Sequence, residues 1–219
     1  VIMNNPKIYI DENELNHQFC YRISKRIFGI IVSVLALILI SPLLLVIAIC
    51  IKIDDHSGPV FYTQTRVGKD GKTFKMIKFR SMVSNADELL KKLRSKNEIS
   101  GAMFKMKNDP RITRVGRFIR KYSLDELPQL FNVIKGDMSL VGPRPPLPSE
   151  VEQYTEYDKQ RLMVTPGATG LWQVGGRNDV DFDTMVTLDL TYIENRSLLL
   201  DLKIMLKTIK IMIKPNGAY

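Results

Sequence analysis

Residues 27–51 read IFGIIVSVLALILISPLLLVIAICI, a run that contains no charged side chain. About 20 consecutive apolar residues are enough to cross a bilayer as a helix, so length alone makes this stretch a membrane candidate. Arg22, Lys25 and Arg26 stand before it and Lys52 follows it. Its middle carries Ser41-Pro42. Proline has no backbone N–H and its ring crowds the carbonyl four residues back, here Ile38, so a kink is expected there. Two readings follow: one tilted, kinked span, or two half-helices that enter and leave by the same face.

The surrounding composition narrows the classes of function. Lys and Arg number 32 against 23 Asp and Glu, a net charge of +9 with a pI near 9.5. That balance suits an anionic surface, whether nucleic acid, acidic lipid headgroups or phosphorylated substrates. The apolar run gives the membrane precedence. The basic residues are dispersed and only 8% of the chain is aromatic, with no interleaved basic and aromatic motif, so no nucleic-acid partner is expected. Two cysteines, Cys20 and Cys50, and two histidines, His17 and His56, exclude a zinc site of ordinary spacing and a disulfide framework. The run starts too late and is too long for a cleaved signal core. We divide the chain into an N-terminal arm, 1–21, a membrane helix, 22–52, broken at Ser41-Pro42, and a domain over 53–219.

Val60–Gln64 and Thr73–Phe79 read as strands around Lys69-Asp70-Gly71, Asp-Gly being a strong hairpin signal. Asn85–Leu93 has the cap and charge order of a surface helix. From Asp109-Pro110 onward, Ile112, Val115, Phe118 and Ile119 fall at helical spacing, interleaved with Arg111, Arg114, Arg117 and Arg120. That pattern predicts a helix at the headgroup boundary with its arginines near phosphates. Near the end, DLKIMLKTIKIMIK (201–214) puts Lys203, Lys207, Lys210 and Lys214 on one face of a basic amphipathic helix, stopped by Pro215 and Gly217.

Three polar stretches carry chemistry. In Ser123-Leu124-Asp125-Glu126-Leu127-Pro128, Ser123 and Glu126 have capping-box spacing, and Pro128 fits better as the first residue of a helix starting there. Adjacent carboxylates cannot point the same way, so one can act as nucleophile while its neighbour binds a divalent ion or moves a proton. On spacing alone the structural reading carries more weight. In Gly142-Pro143-Arg144-Pro145-Pro146 the prolines stiffen the backbone and pre-position an arginine whose guanidinium fork matches phosphate oxygens. In 165–177, TPGATGLWQVGGR, glycines surround the only tryptophan; glycine permits close backbone approach to a ligand and an indole can stack on a base or sugar.

In this order the pieces resemble the bacterial sugar transferases, the monotopic polyprenyl-phosphate phosphoglycosyl transferases. The residues that carry the resemblance are the apolar segment with Ser41-Pro42, Lys78-Phe79-Arg80-Ser81-Met82, Asp109–Thr113, Ser123–Leu130, Asn132–Ser139, Gly142–Pro145 and Pro166–Gly170. The resemblance implies an α/β fold, mainly helical with a small sheet or hairpin. It places a re-entrant membrane helix beside a cytosolic catalytic domain with interfacial amphipathic helices, on the cytoplasmic face of the bacterial inner membrane. It implies transfer of a sugar-1-phosphate from a UDP-sugar, such as UDP-glucose or UDP-galactose, to undecaprenyl phosphate. Asp125 would be the nucleophile and Glu126 the magnesium ligand. Lys78, Arg80, Arg120, Arg144 and Arg177 would bind substrate. Such a step opens capsule, exopolysaccharide or glycoconjugate synthesis, with inner-membrane lipids as partners and a homo-oligomer compatible with it. The rival from another class is a non-catalytic membrane scaffold for glycan-assembly enzymes, whose function would not depend on Asp125 or Glu126.

Overall fold

The computed structural model describes residues 7–86, 88, 89, 106, 109–175 and 181–213. Arg177, Lys214 and most of the helix expected over Asn85–Leu93 lie outside them.

A short helix α1 (Glu12–His17), capped by the Asp11 carboxylate, leads into α2 (Phe19–Asp54), a single helix of 36 residues and about 54 Å. The helix continues through Pro42. The carbonyl of Ile38, which loses its i+4 donor to the proline ring, accepts a hydrogen bond from the Ser41 hydroxyl at 2.8 Å. The serine thus replaces the missing N–H, and the expected break is a repaired helical turn. Of the eighteen most apolar residues of α2, only 11% are buried inside the molecule, which separates it from a core helix. Its buried positions fall at i, i+4 in two places, Gly29 with Ser33 and Ile47 with Ile51. Between them Val34, Leu35, Ile38, Leu39 and Leu43 are exposed.

Both ends of α2 are built into the rest of the molecule. Strands β1 (Phe61–Val67) and β2 (Thr73–Phe79) form the expected hairpin, with Phe61 opposite Phe79 and Tyr62 opposite Lys78. Its turn places Asp70 at φ 56 and Gly71 at φ 75, the left-handed region Asp-Gly tolerates. Phe79 packs with Ile119 of α3 (Arg114–Lys121) against Ile47 and Ile51 at the C-terminal end of α2. At the other end, Arg26 donates to the carbonyls of Val133 and Ile134 in the last turn of α4 (Gln129–Lys135), and Lys25 is 3.0 Å from Asp201. The basic collar read from the sequence as facing the membrane is therefore partly spent inside. Lys25 and Arg26 are half-buried ties, and Arg22 remains exposed.

Helix α4 is fastened to β2 by one buried side chain. Asn132 accepts from the Ile77 N–H at 3.0 Å and donates to the Lys75 carbonyl at 2.8 Å, completing the outer edge of that strand. Gly136 closes α4 at φ 104, where a side chain would be strained. A second pair, β3 (Ser139–Val141) and β4 (Gly167–Thr169), is parallel, a feature the sequence reading lacked. The chain also forms the short helices α5 (Pro148–Val151), α6 (Glu156–Lys159) and α7 (Leu171–Gly175), then α8 (Phe182–Asn195) and α9 (Leu198–Ile213), of which α9 packs on both strands of the pair. Val141, Val186, Leu190, Tyr192, Ile193 and Ile204 form a core here. A Cβ on Gly167 would stand 2.0 Å from the Gly142 nitrogen. That glycine serves a close approach of two backbones within the sheet, not one towards a ligand. Among the described residues the molecule is mainly helical with two two-stranded sheets. Along α9, Leu198, Leu199, Leu202, Leu206, Ile209 and Ile213 are exposed beside Lys203, Lys207 and Lys210, while Asp201 and Ile204 face inward.

Candidate active site

The adjacent carboxylates sit in a tight turn between two helices. Helix α3 ends at Lys121, and Ser123 adopts the left-handed conformation (φ 55) that usually closes a helix with glycine. Its side chain caps nothing, so the capping box with Glu126 does not form: a left-handed residue cannot serve as an N-cap, which needs extended backbone. Residues Leu124–Glu126 make one 3-10 turn. Pro128 then precedes α4 as its N-cap, so the helix begins one residue after the start expected from sequence. Leu124 packs on the cluster of Ile47, Ile51, Phe79 and Ile119, so the neighbour of Asp125 rests directly on α2.

Asp125 is half-buried and has no ion pair among the described residues. Its pKa is pushed up to about 6, first by burial and then by the charge of Glu126, with Lys78 and Arg120 opposing. Glu126 points the other way. Its Oε1 accepts from Lys78 Nζ at 2.6 Å, Lys78 being the β2 residue opposite Tyr62. One carboxylate is thus held by a lysine while the other keeps its oxygens for chemistry.

Arg144 reaches the same region by a route the sequence did not reveal. Buried Arg66 of β1 donates to the Pro145 carbonyl at 3.0 Å, and its other guanidinium nitrogens hold Gln64 Oε1. The Val67 N–H donates to the Pro146 carbonyl at 2.9 Å. These bonds pin the proline segment along β1. Arg66 itself is pushed down to about 10, by burial first and by Arg144 second, with Glu150 and Glu126 pulling the other way. Arg144 and Glu126 are therefore both within electrostatic reach of Arg66. The Arg144 guanidinium lies 5.9 Å from the centre of the Trp172 ring, which is itself buried. The tryptophan, read from sequence as a surface on which a base or sugar could stack, thus lies under an arginine. Alternation along β1 was the available signal for Arg66, since Tyr62, Gln64 and Arg66 share the face of Lys78.

The other basic residues separate. Arg120 acts on both Asp125 and Asp109. Arg80 is buried, donating to the Asp55 carboxylate and backbone carbonyl and to Ser84 Oγ at 3.0 Å, so its terminal nitrogens tie the end of α2 to β2. Arg111, read from spacing as an interfacial arginine, is buried in a bidentate pair with Asp109, because it precedes α3 instead of lying on its outer face. Phe118 of α3 is exposed as that reading requires.

No group of three His, Cys, Asp or Glu placed to hold a metal occurs among the described residues. Magnesium keeps several waters and takes only one or two protein carboxylates beside substrate phosphates. Asp125 and Glu126 fit that smaller demand, with Glu126 having to exchange its lysine for the ion.

Known proteins with similar sequences come from bacteria. The undecaprenyl-phosphate galactose phosphotransferase of Salmonella typhimurium is 53% identical over 90% of this chain and 42% of its own length. The exopolysaccharide production protein ExoY of Sinorhizobium fredii is 45% identical, covering 90% of this chain and 88% of the relative. The UDP-glucose:undecaprenyl-phosphate glucose-1-phosphate transferase of Klebsiella pneumoniae is 45% identical over 84% of this chain and 39% of its own length. The chain thus spans less than half the length of several relatives it matches, and nearly the whole of others. The bacterial sugar transferase model matches residues 20–215, and the chain belongs to that family.

Proposed function

We propose that this chain transfers a hexose-1-phosphate from a UDP-sugar to undecaprenyl phosphate through a covalent phosphosugar on Asp125. The observation that carries the reading is the unequal treatment of two adjacent carboxylates: Glu126 is bonded to Lys78, and Asp125, in a basic surround, has no ion pair among the described residues. An Asp125 oxygen attacks the sugar-linked phosphorus of the nucleotide sugar. The bond from that phosphorus to the bridging oxygen breaks, and UMP leaves with the electron pair. A phosphate oxygen of the polyprenyl acceptor then attacks the same phosphorus, expelling the Asp125 carboxylate and giving polyprenyl-diphospho-sugar. Arg120, Lys78 and Arg144 supply positive charge to the phosphoryl oxygens as negative charge spreads over them. Magnesium, held by Glu126 with the substrate phosphates, would neutralise the diphosphate and improve UMP as a leaving group. Arg80, already engaged by Asp55, is left out of this set.

A re-entrant α2 belongs to the same reading. What supports it is that Lys25 and Arg26 at one end, and Ile51, Asp54 and Asp55 at the other, contact one packed body. From Gly29 to Ile47 the helix rises about 27 Å, close to the thickness of a hydrocarbon core. A polar body cannot lie against both faces of a bilayer, so this reading requires α2, continuous through Pro42, to bend at Ser41-Pro42 and return to the side it entered. Relatives named for galactose and for glucose support a UDP-hexose donor, and another is named for UDP-N-acetylgalactosamine. The test is UMP release from UDP-sugars with magnesium and undecaprenyl phosphate, together with intact-mass detection of a phosphohexose adduct. Undiminished release by Asp125→Asn would sink the nucleophile, and indifference of glycan assembly to Asp125 and Glu126 would favour a scaffold.

A further inference from the structure

A cavity of about 480 Å3 opens at the base of α2, away from the carboxylates: neither Asp125, Glu126, Lys78, Arg120 nor Arg144 lines it. Its volume is that of an ordinary ligand site. Five basic residues line it, Arg22, Lys25, Arg26, Lys69 and Arg196, against Glu12 and Asp70. Three of the five are committed. Lys25 is paired with Asp201, Arg26 with the end of α4, and Arg196 donates to Gln18 Oε1 at 2.6 Å and the Leu15 carbonyl. Lys69 is 3.9 Å from Asp70 and half-exposed. The Arg22 side chain is exposed and makes no hydrogen bond or ion pair among the described residues. It stands close enough to Arg196 to help hold that guanidinium below its usual range, behind the larger effect of burial. Two like charges facing one cavity are relieved by an anion between them.

The walls say what kind of anion. Phe19, Ile23 and Ile27 line the cavity and are 62%, 43% and 54% exposed. With Ile31 they recur every four residues, so they form one stripe along α2 running from the cavity into the uncharged segment. A soluble anion has no use for that stripe; a lipid uses both parts.

We propose that this cavity seats the headgroup of an anionic glycerophospholipid, its phosphate on Arg22 with Arg196 and Lys69 beside it, its chains along Phe19, Ile23, Ile27 and Ile31. The site is separate from the one at Asp125 and rests on reading α2 as a membrane element. A lipid there bridges α2, the hairpin tip and the α8–α9 junction, and so stabilises the folded chain.

The experiment uses the whole purified chain in non-ionic detergent, titrated with phosphatidylglycerol, phosphatidylcholine or inorganic phosphate while thermal unfolding is followed. Phosphatidylglycerol raises the midpoint saturably; the other two do not. Arg22→Gln weakens the apparent affinity about fivefold, leaves UMP release unchanged, and Lys203→Gln on α9 leaves the affinity as it was. An equal rise with inorganic phosphate, or an equal loss in Arg22→Gln and Lys203→Gln, overturns the lipid site in favour of a free anion or diffuse charge. Vesicle flotation separates the failures. A chain that floats with vesicles but shows no Arg22-dependent shift overturns the cavity proposal alone, and one that floats with none overturns the membrane reading of α2 as well.

Discussion

Asp125 and Asp189 are both aspartates whose pKa burial pushes up to about 6, yet the molecule uses them in opposite ways. Asp189, on the inner face of α8, is fully buried, and its Oδ2 accepts from Arg161 Nε at 2.8 Å and from a second guanidinium nitrogen at 2.6 Å. Arg161 in turn donates to the Tyr154 hydroxyl at 2.8 Å. That pair is sealed beside Val186 and Leu190: the Asp189 Oδ1 takes no hydrogen bond among the described residues, but it is buried out of a substrate's reach. Asp125 stands in a 3-10 turn at the surface of the same body, with cations in reach and none in ion-pair contact among the described residues. A raised pKa therefore reports burial in both cases. What sets the proposed nucleophile apart is that cations lie near it, one of them held by the neighbouring Glu126, while its own oxygens take none of them in an ion pair among the described residues.

Substitutions can break that contrast or sharpen it. The largest effect expected is on turnover: Asp125→Asn should lower UMP release at least about a thousandfold, the scale of losing a covalent nucleophile. Measured on a chain with unchanged circular dichroism, a smaller loss would put both aspartates in one class. Asp189→Asn should instead cost about 3–5 kcal/mol of stability, because it strands Arg161 as a buried charge, and detergent thermal melts will show it. Next in size, Asp125→Asn should stabilise the fold at pH 8 by about 1 kcal/mol, a few degrees in the melt. The sign follows from the raised pKa: the stability contributed by protonated Asp125 is present below the unfolded value of 3.8 and lost as pH rises through about 6. Asparagine keeps it at every pH. Two aspartates with the same shift would then move the melting temperature in opposite directions.

The smallest effect is the most specific. If the Asp125 carboxylate is the attacking group, UMP release falls as pH drops through about 6. Lys78→Met removes a charge that favours ionisation, so the acid limb should move to higher pH. Glu126→Gln removes one that opposes it, so the limb should move to lower pH. Rates measured from pH 5 to 8 in both variants check the pair of shifts; movement in the same direction would detach the limb from Asp125.

Much of this contrast was legible in residues 1–219 read in order, and the remainder was not for identifiable reasons. The hairpin was readable because Asp70-Gly71 demands positive φ and alternation flanks it. Pro128 was readable to within one residue because proline fits only the start of a helix. The capping box failed because Ser123–Glu126 has that spacing in any backbone, and spacing does not show that Ser123 turns left-handed to end α3. Asp189 and Arg161 were silent for a different reason. Their pairing joins a 3-10 turn to a later helix, and no local pattern records it. Arg111 misled because helical spacing extended one turn too far upstream, where Asp109 holds the side chain inside. Long-range pairing also hid the tasks of Lys25 and Arg26, which look like any membrane-flanking cations until Asp201 and the end of α4 are set beside them.

The Lys25–Asp201 tie has a consequence in time. The two residues are 176 positions apart. At about 5–20 residues per second, synthesis puts roughly 10–35 seconds between them. For most of that interval the apolar helix is already made, while the lysine at its base lacks Asp201 to meet it. Until α9 arrives, α2 is held to the domain by Arg26 on the end of α4 and by Ile47 and Ile51 against Phe79 and Ile119, and its N-terminal tie to the last long helix is still missing. A chain stopped ahead of Asp201 would carry Arg161–Asp189 and the carboxylate turn complete, yet lack the bond that joins its first long helix to its last.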